Sequence, residues 1–522
     1  MTQDQGREEL HQQRLSEAQQ ALATFAVQHS RLGNLRGITF ASAVVCSLFS
    51  LKVPGWTLPT VSLVSFMIFL YLLRQHQGVI HREEQAERRV YVRRNALLRV
   101  TGGWHELPYD AVASEKQQHP YAFDLDILGK SSLYQKLCCA QTPHGKARLR
   151  SWLLTVASKS EIEARQKAVT EMAPRLDERQ EFEAQALALA KRRLSDGTKE
   201  VIAAAVAQSK EQELPILAWL RGKPTILSSS FLQVVSFLLP LLNISFVTLA
   251  TLGFLPHWTW LLSLGLSFLL LVKISEPAQS AFTALTLGEA KLGRYGDILV
   301  YLENARFTAP WLKARQEKLN SRSGIRPSKI MGQFQTIGAW FEVRQNGLVY
   351  PFVNSFLLWD IHCGRALENW REEAKGALES WLEIIGEFEA LYSLAGLLGD
   401  EPEATLPRIQ AEDGERPELL AEDLGHPLLA KSERRTNQLP PLSPGQALLI
   451  TGSNMSGKST FLRTIGLNLV LSFCGAPVIA RQFQTPRCQL GTSLRIADSL
   501  SRGVSHFYAE VEKLADILKL SE

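Results

Sequence analysis

Residues Gly452–Ser459 read GSNMSGKS and fit the pattern G-x-x-x-x-G-K-[ST]. The chemistry explains the spacing. Gly452 and Gly457 allow the backbone to curl with its N–H groups pointing inward at an anion. Lys458 supplies a compact positive charge for the β- and γ-phosphates of a nucleoside triphosphate. Ser459 offers its hydroxyl to Mg²⁺, and a helix starting at this point aims its positive end at the phosphates. The candidate ATP-binding residues are thus Gly452, Ser453, Asn454, Met455, Ser456, Gly457, Lys458, Ser459 and Thr460, with Ser459 the candidate metal ligand. A glycine-rich turn of structural use only is the competing reading of the same eight residues.

The flanks favour the nucleotide site. Ala447–Thr451 (ALLIT) has the length and composition of a buried strand, and Thr460–Phe473 is an apolar helical pattern that stops at Gly475. Strand, loop and helix in that order are what a phosphate loop needs.

The interior of the loop is more specific. TGSNMSGKSTFLRTIG resembles the phosphate loop of the MutS mismatch-repair ATPase family, in which Asn-Met precedes a small residue and Gly-Lys-Ser-Thr. Cys474–Ala480 (CGAPVIA) is similar to that family's G-x-x-V-P-A segment, with Ile479 at its second proline. Asp498–Glu510 (DSLSRGVSHFYAE) looks like its D-x-x-x-x-G-x-S-x-F-x-x-E stretch, and Gly425–Leu429 (GHPLL) like the His-Pro segment that opens its ATPase domain. Upstream, Asp124–Leu133, Thr142–Leu154 and Arg165–Glu171 resemble the start of the family's core, or lever, domain.

The resemblance implies ATP and Mg²⁺ as cofactors, a homodimer formed through the ATPase domain, and DNA, mismatched DNA by analogy, as a partner. It places Ser505 near the partner subunit's γ-phosphate, with a helix cap for Phe507–Leu518 as the competing use of that serine. Thr436 and Asn437 fall where the family contacts adenine, and His426 shapes the turn at Pro427. Three departures accompany it. No Phe-x-Glu mismatch wedge is found before residue 120; an apolar hairpin at 231–274 interrupts the core; and the sequence stops at Ser521-Glu522, before the strand ending in Asp-Glu that would complete the metal site and orient water. No catalytic general base is assigned, and hydrolysis is expected to be impaired.

Two apolar pairs carry the second theme. Leu35–Leu51 and Trp56–Leu73 are joined by Lys52–Gly55, and Phe231–Leu255 and Trp258–Ile274 by Pro256-His257. Each run is near the ~20 helical residues that cross a hydrocarbon core. Arg74–Arg99 carries seven arginines, and basic residues beside a span mark the cytoplasmic side. Lipid headgroups suit that arginine run better than DNA does. A buried hairpin of a soluble core is the competing reading. Residues 3–32 read as an exposed helix, and residues 278–396 as long amphipathic helices, one over roughly Ala281–Asn320 and one over Phe352–Leu397. The net charge of +5 over 522 residues permits a nucleic-acid or anionic-lipid partner without requiring one. Six cysteines without C-x-x-C spacing fit free thiols in a reducing compartment.

The expected fold is therefore mainly α, with an incomplete C-terminal α/β P-loop ATPase domain and two transmembrane helical hairpins. The expected divisions are an N-terminal cytosolic helix at 1–34, hairpin 1 at 35–74 and a basic juxtamembrane linker at 75–119. The core begins at 120–220, is interrupted by hairpin 2 at 221–277, and resumes with lever helices at 278–424. The ATPase domain occupies 425–522. The expected location is the inner or plasma membrane, crossed four times, with the ATPase domain cytoplasmic. A membrane tether or truncated gene product that only binds nucleotide is the main alternative. An ABC-type transporter subunit fits less well, since no L-S-G-G-Q segment follows the loop.

Overall fold

The computed structural model describes residues 3–50, 52–53, 55–109, 119–188, 215–222, 229–292, 295–319, 325–347, 349–410, 417–453, 456–494 and 506–519. Among the described residues helix accounts for 70% and strand for 5%, which makes the molecule mainly α.

The first two helices, α1 (Gln3–Ser50) and α2 (Thr57–Val100), form one antiparallel hairpin. The expected exposed helix and first apolar run are a single element, and so are the second apolar run and the arginine run. At 1.5 Å per residue each arm is about 70 Å long, more than twice the hydrocarbon thickness of a bilayer. The arms pair along their length: Ser62 Oγ donates to the Ala43 carbonyl at 2.8 Å, His29 meets Glu83, and Arg93 donates to the Arg14 carbonyl at 2.7 Å. The distal half is apolar and exposed, with Phe40, Leu48, Leu63 and Met67 facing outward.

The proximal half docks, and this changes the reading of the arginines. Arg89 makes a two-pronged pair with Glu181 (2.7 and 3.0 Å), Arg14 pairs with Asp177, and Arg99 donates to the carbonyls of Lys136 and Cys138. Arg14, Arg89 and Arg99 thus hold the hairpin to the rest of the protein, while Arg74, Arg82 and Arg94 remain exposed.

The helical core follows as α3 (Leu133–Leu137), α4 (Pro143–Leu154), α5 (Lys159–Met172), α6 (Leu176–Leu187) and α7 (Pro215–Arg221). Its helices start where local chemistry tells them to. Thr142 caps α4 by accepting from Gly145 N, with Pro143 at the first helical position, and Ser158 caps α5. A second hairpin, α8 (Ser230–Thr251) and α9 (Thr259–Leu292), precedes α10 (Tyr295–Asn304), α11 (Pro310–Leu319), α12 (Pro327–Glu342), α13 (Tyr350–Leu357), α14 (Trp359–Ala374) and α15 (Leu378–Asp400). Among the described residues three helices, α1, α2 and α8, are long and apolar enough to cross a membrane, and the apolar part of α9, Thr259–Ser275, is shorter.

The two long helices expected over 281–320 and 352–397 are broken. The first is interrupted between Asn304 and Pro310, where α10 gives way to α11. The second is cut by Leu358, buried and in the left-handed region (φ 51°), and again before α15, where Gly376 has φ 74°. Trp370, Trp381, Ile385, Phe388 and Leu391 are core residues, as their spacing predicts.

Helix α15 is buried nearly all round from Ile384 to Leu397, and the core packs about it. Gly386 lets α4 cross at backbone contact, since a Cβ there would stand 2.7 Å from the carbonyl carbon of His144. One turn on, Glu389 accepts from the N–H groups of Gln141 and Thr142 and from the Thr142 hydroxyl. Burial pushes its carboxyl up to about 7 despite those donors.

Among the described residues six short strands complete the fold: β1 (Ala404–Thr405), β2 (Arg408–Ile409), β3 (Leu419–Leu424), β4 (Asn437–Leu442), β5 (Val478–Ile479) and β6 (Gln482–Thr485). β1 and β5 pair antiparallel, and the other four form a sheet in the order β2-β6-β3-β4. The expected strand at Ala447–Thr451 is absent: the segment is irregular, and Leu449 is 86% exposed. An apolar run becomes a strand only beside another strand, and no described strand pairs with it. The α/β core of a P-loop ATPase is therefore not assembled among the described residues.

Glu389 ties stability to pH. Its folded pKa lies above the unfolded value, so its contribution is complete below about pH 4.5 and is lost as pH rises through 7. Denaturant unfolding of Glu389→Gln beside the parent chain, both in detergent, should show the variant gaining on the order of 2 kcal/mol relative to the parent between pH 5 and pH 8. A constant difference across that range would refute the assignment.

Candidate nucleotide-binding site

Helix α16 (Lys458–Cys474) carries the loop at its N-terminus. Gly457 precedes it at φ 88°, a left-handed turn open to glycine at little cost, and Gly475 ends it at φ 86°. Gly452, Ser453, Ser456, Ser459 and Thr460 are exposed, and Lys458 is half-buried. Asn454, Met455 and Ser505 lie outside the described residues. The loop closes on itself: Ser456 N donates to the Ser453 carbonyl at 3.3 Å, and Lys458 Nζ donates to the carbonyls of Gly452 (2.7 Å) and Ser453 (2.6 Å). The ammonium thus lies across the mouth of the loop. A triphosphate there would draw it off two neutral carbonyls onto an anion, a stronger partner for a cation. Ser459 stands in the first turn of α16, where its hydroxyl is free to face a metal carried by the phosphates.

The expected accessory residues divide. His426 does shape its turn: its Nδ1 accepts from Leu428 N at 3.2 Å. Burial, aided by Arg463 and Arg434, lowers its pKa to about 4, which keeps the ring neutral and Nδ1 an acceptor. Thr436 and Asn437 are exposed at the start of β4, with no described aromatic ring stacked beside them.

Behind the loop lie residues that sequence reasoning assigned no role. Asn468, mid-helix on α16, donates to the Gly425 carbonyl at 3.0 Å and accepts from Ile479 N at 2.8 Å. It ties α16 to the strands on one side. On the other side, Arg463 Nε donates to the Asp124 carbonyl at 3.1 Å, and Gly466 leaves room for Leu125, whose Cδ2 would lie 2.7 Å from a Cβ. Arg165 donates to the carbonyl of Cys474 at the far end. The Asp124 carboxylate is buried and accepts from Thr492 Oγ1 (2.9 Å), Leu494 N (2.9 Å) and Lys513 Nζ (2.6 Å). Lys513 sits on α17 (His506–Lys519), which exposes Val511, Leu514 and Leu518 on one stripe.

A further link joins the His-Pro segment to the core. Lys136 Nζ contacts Glu401 Oε1 and the Pro427 carbonyl, both at 2.8 Å, and Arg434 pairs with Glu401 and Glu403. Burial alone would raise the Glu401 carboxyl, but Lys136 and Arg434 outweigh it and hold it below its usual range. Of these residues only Asn468 left a sequence signal, as a polar residue inside an apolar helical run.

Comparison with known proteins bears on the same segment. The family MutS domain V matches residues 448–522. "DNA mismatch repair protein MutS" of Clostridium botulinum (strain Loch Maree / Type A3) is 32% identical over 154 residues, 28% of this chain and 16% of that protein. The protein of the same description from Clostridium novyi (strain NT) is 32% identical over 147 residues, 27% of this chain and 16% of its own length. The chain thus aligns with about one-sixth of the length of these curated relatives.

The Asp124 cluster predicts a coupling. Asp124→Asn removes the charge facing Lys513 and should speed amide hydrogen exchange in 490–494 and α17 by about ten-fold or more, the effect of weakening a partly buried charged pair by over 1.4 kcal/mol. Unchanged exchange there would show that Asp124 does not hold this region.

Proposed function

Since this chain is a MutS-family protein by its C-terminal domain, we propose that it is a membrane-anchored, ATP-binding MutS-like protein acting on or near DNA. In this reading triphosphate and Mg²⁺ bind at Gly452–Thr460, and their arrival moves α16. The observation that carries the proposal is the uninterrupted set of contacts leading away from the loop. Lys458 and the first turn of α16 touch the ligand; Arg463 and Gly466 of the same helix lie against Asp124 and Leu125. The segment from Leu125 to Lys136 then meets Glu401 at the end of α15 and Arg99 at the root of the first hairpin. A shift of about 1 Å at the loop has packed groups to push against at every step.

The partners follow from the same features. The exposed stripe Val511, Leu514 and Leu518 on α17 suits a second copy meeting the ATPase domain, with Ser505 one residue before that helix. The relatives' description as DNA mismatch repair proteins favours DNA as the macromolecular partner, met by exposed basic residues. The two apolar hairpins anchor the chain by four crossings in an inner or plasma membrane. Their ends lie at the helical core, so the ATPase domain occupies the cytoplasmic side.

Three measurements on the full chain test this reading. Lys458→Ala should weaken Mg-ATP retention by at least about ten-fold, the loss of roughly 1.4 kcal/mol of phosphate contact; equal retention would leave a nucleotide-independent tether. Alkaline carbonate should leave the protein in the membrane pellet, and its release would remove the anchor. DNA retention on filters should fall steeply between 50 and 200 mM salt, whereas a flat response from low salt upward would remove DNA as a partner.

A further inference from the structure

Helix α13 is short and falls at the start of the long helix expected over Phe352–Leu397. Residues 346–359, NGLVYPFVNSFLLW, contain no Asp, Glu, Lys or Arg. The structure divides α13 into two faces. Inward, Asn354 Nδ2 donates to Tyr350 Oη at 3.0 Å, Tyr350 Oη donates to Asp360 Oδ2 at 2.7 Å, and Asp360 N donates to Asn354 Oδ1 at 3.0 Å. Outward, Val349, Phe352 and Leu357 are bare, Phe352 at 68% exposure, and Trp340 at the end of α12 is exposed as well.

Its position along the second hairpin decides what covers that face. Asn243 Nδ2 donates to the Phe356 carbonyl at 3.1 Å and to Ser267 Oγ at 3.0 Å. Asn243 is thirteen residues past the start of α8, about 20 Å along a helix about 33 Å long. The end of α13 is therefore level with the middle of the apolar hairpin, not with its core-side end. Just below, His362 of α14 meets the Ser236 carbonyl at 3.1 Å. An element fixed at that level shares the hairpin's surroundings.

We propose that α13 is a membrane-embedded helix that does not cross, its Val349–Phe352–Leu357 face lying in the same bilayer hydrocarbon as the second hairpin. This rests on the membrane reading of that hairpin. The polar network suits the setting: in hydrocarbon each polar group needs an internal partner, and Tyr350, Asn354 and Asp360 supply one another. Arg344 lies over the rings of Phe282 and Tyr350, 3.9 Å from Asp360, which places a cation on the protein-facing side. The consequence is that the core does not stand clear of the bilayer on two stalks. It is seated in it beside the second hairpin, so that movement of α12–α15 occurs against lipid.

The test places the photo-reactive residue p-benzoylphenylalanine at 352, at 268 on the exposed side of α9, or at 313 on α11, in the full chain. Each protein is reconstituted in phosphatidylcholine–phosphatidylglycerol vesicles with radiolabelled acyl chains. After irradiation, lipid label at 352 and 268 should each exceed that at 313 several-fold. Label at 268 without label at 352 would overturn the inference while leaving the hairpin in the membrane. Label at neither would remove the membrane reading and the inference with it. A protein adduct of twice the chain mass at 352, in place of lipid, would assign the face to a second copy and also overturn the proposal.

Discussion

The structure depends most on the double fixing of α16. A helix that begins in a phosphate loop is of use only if its displacement is felt elsewhere, and here the middle of the helix is held on both sides. Asn468 satisfies one backbone carbonyl just past β3 and one backbone N–H on β5, which no apolar residue could do. Gly466 lets Leu125 come close enough that the core cannot slide past, and Arg463 holds the Asp124 carbonyl alongside. Close packing then leaves the helix little freedom to move without moving the core.

Charge inside the molecule serves the same end. Asp124, Glu389 and Glu401 are carboxylates taken out of water, and each is surrounded by donors from segments distant in sequence. Losing one partner would strand a buried polar group, so each cluster enforces one arrangement of its segments. The arginines of α2 act likewise at the root of the first hairpin. A helix hairpin joined by a flexible linker would transmit nothing; one clamped through Arg89 and Arg99 moves with the core.

The apolar surfaces divide into those covered by protein and those left bare. The C-terminal half of α16 and most of α15 are hidden on every side. The distal first hairpin, the second hairpin and α13 expose large side chains in contiguous bands, far more than a water-facing surface ordinarily carries. Leu448 and Leu449, ahead of the loop, are exposed because the sheet does not extend to them.

What could be read from sequence was whatever depends on neighbours a few residues away. The glycine and lysine spacing of the loop, the stop at Gly475, the paired apolar runs and the His426 turn all belong to this class, since their hydrogen bonds or periodicity close within a turn or two. What only the tertiary structure decided involves partners far along the chain. An apolar run at Ala447–Thr451 stays irregular without a neighbouring strand, and arginines suited to lipid are consumed by Glu181 and by carbonyls at 136 and 138. The long helical patterns break at Leu358 and before α15, and an uncharged stretch near residue 352 lies level with the middle of an apolar hairpin. Local sequence sets which conformations are cheap; burial and distant hydrogen bonds, worth more per contact in a dry interior, choose among them.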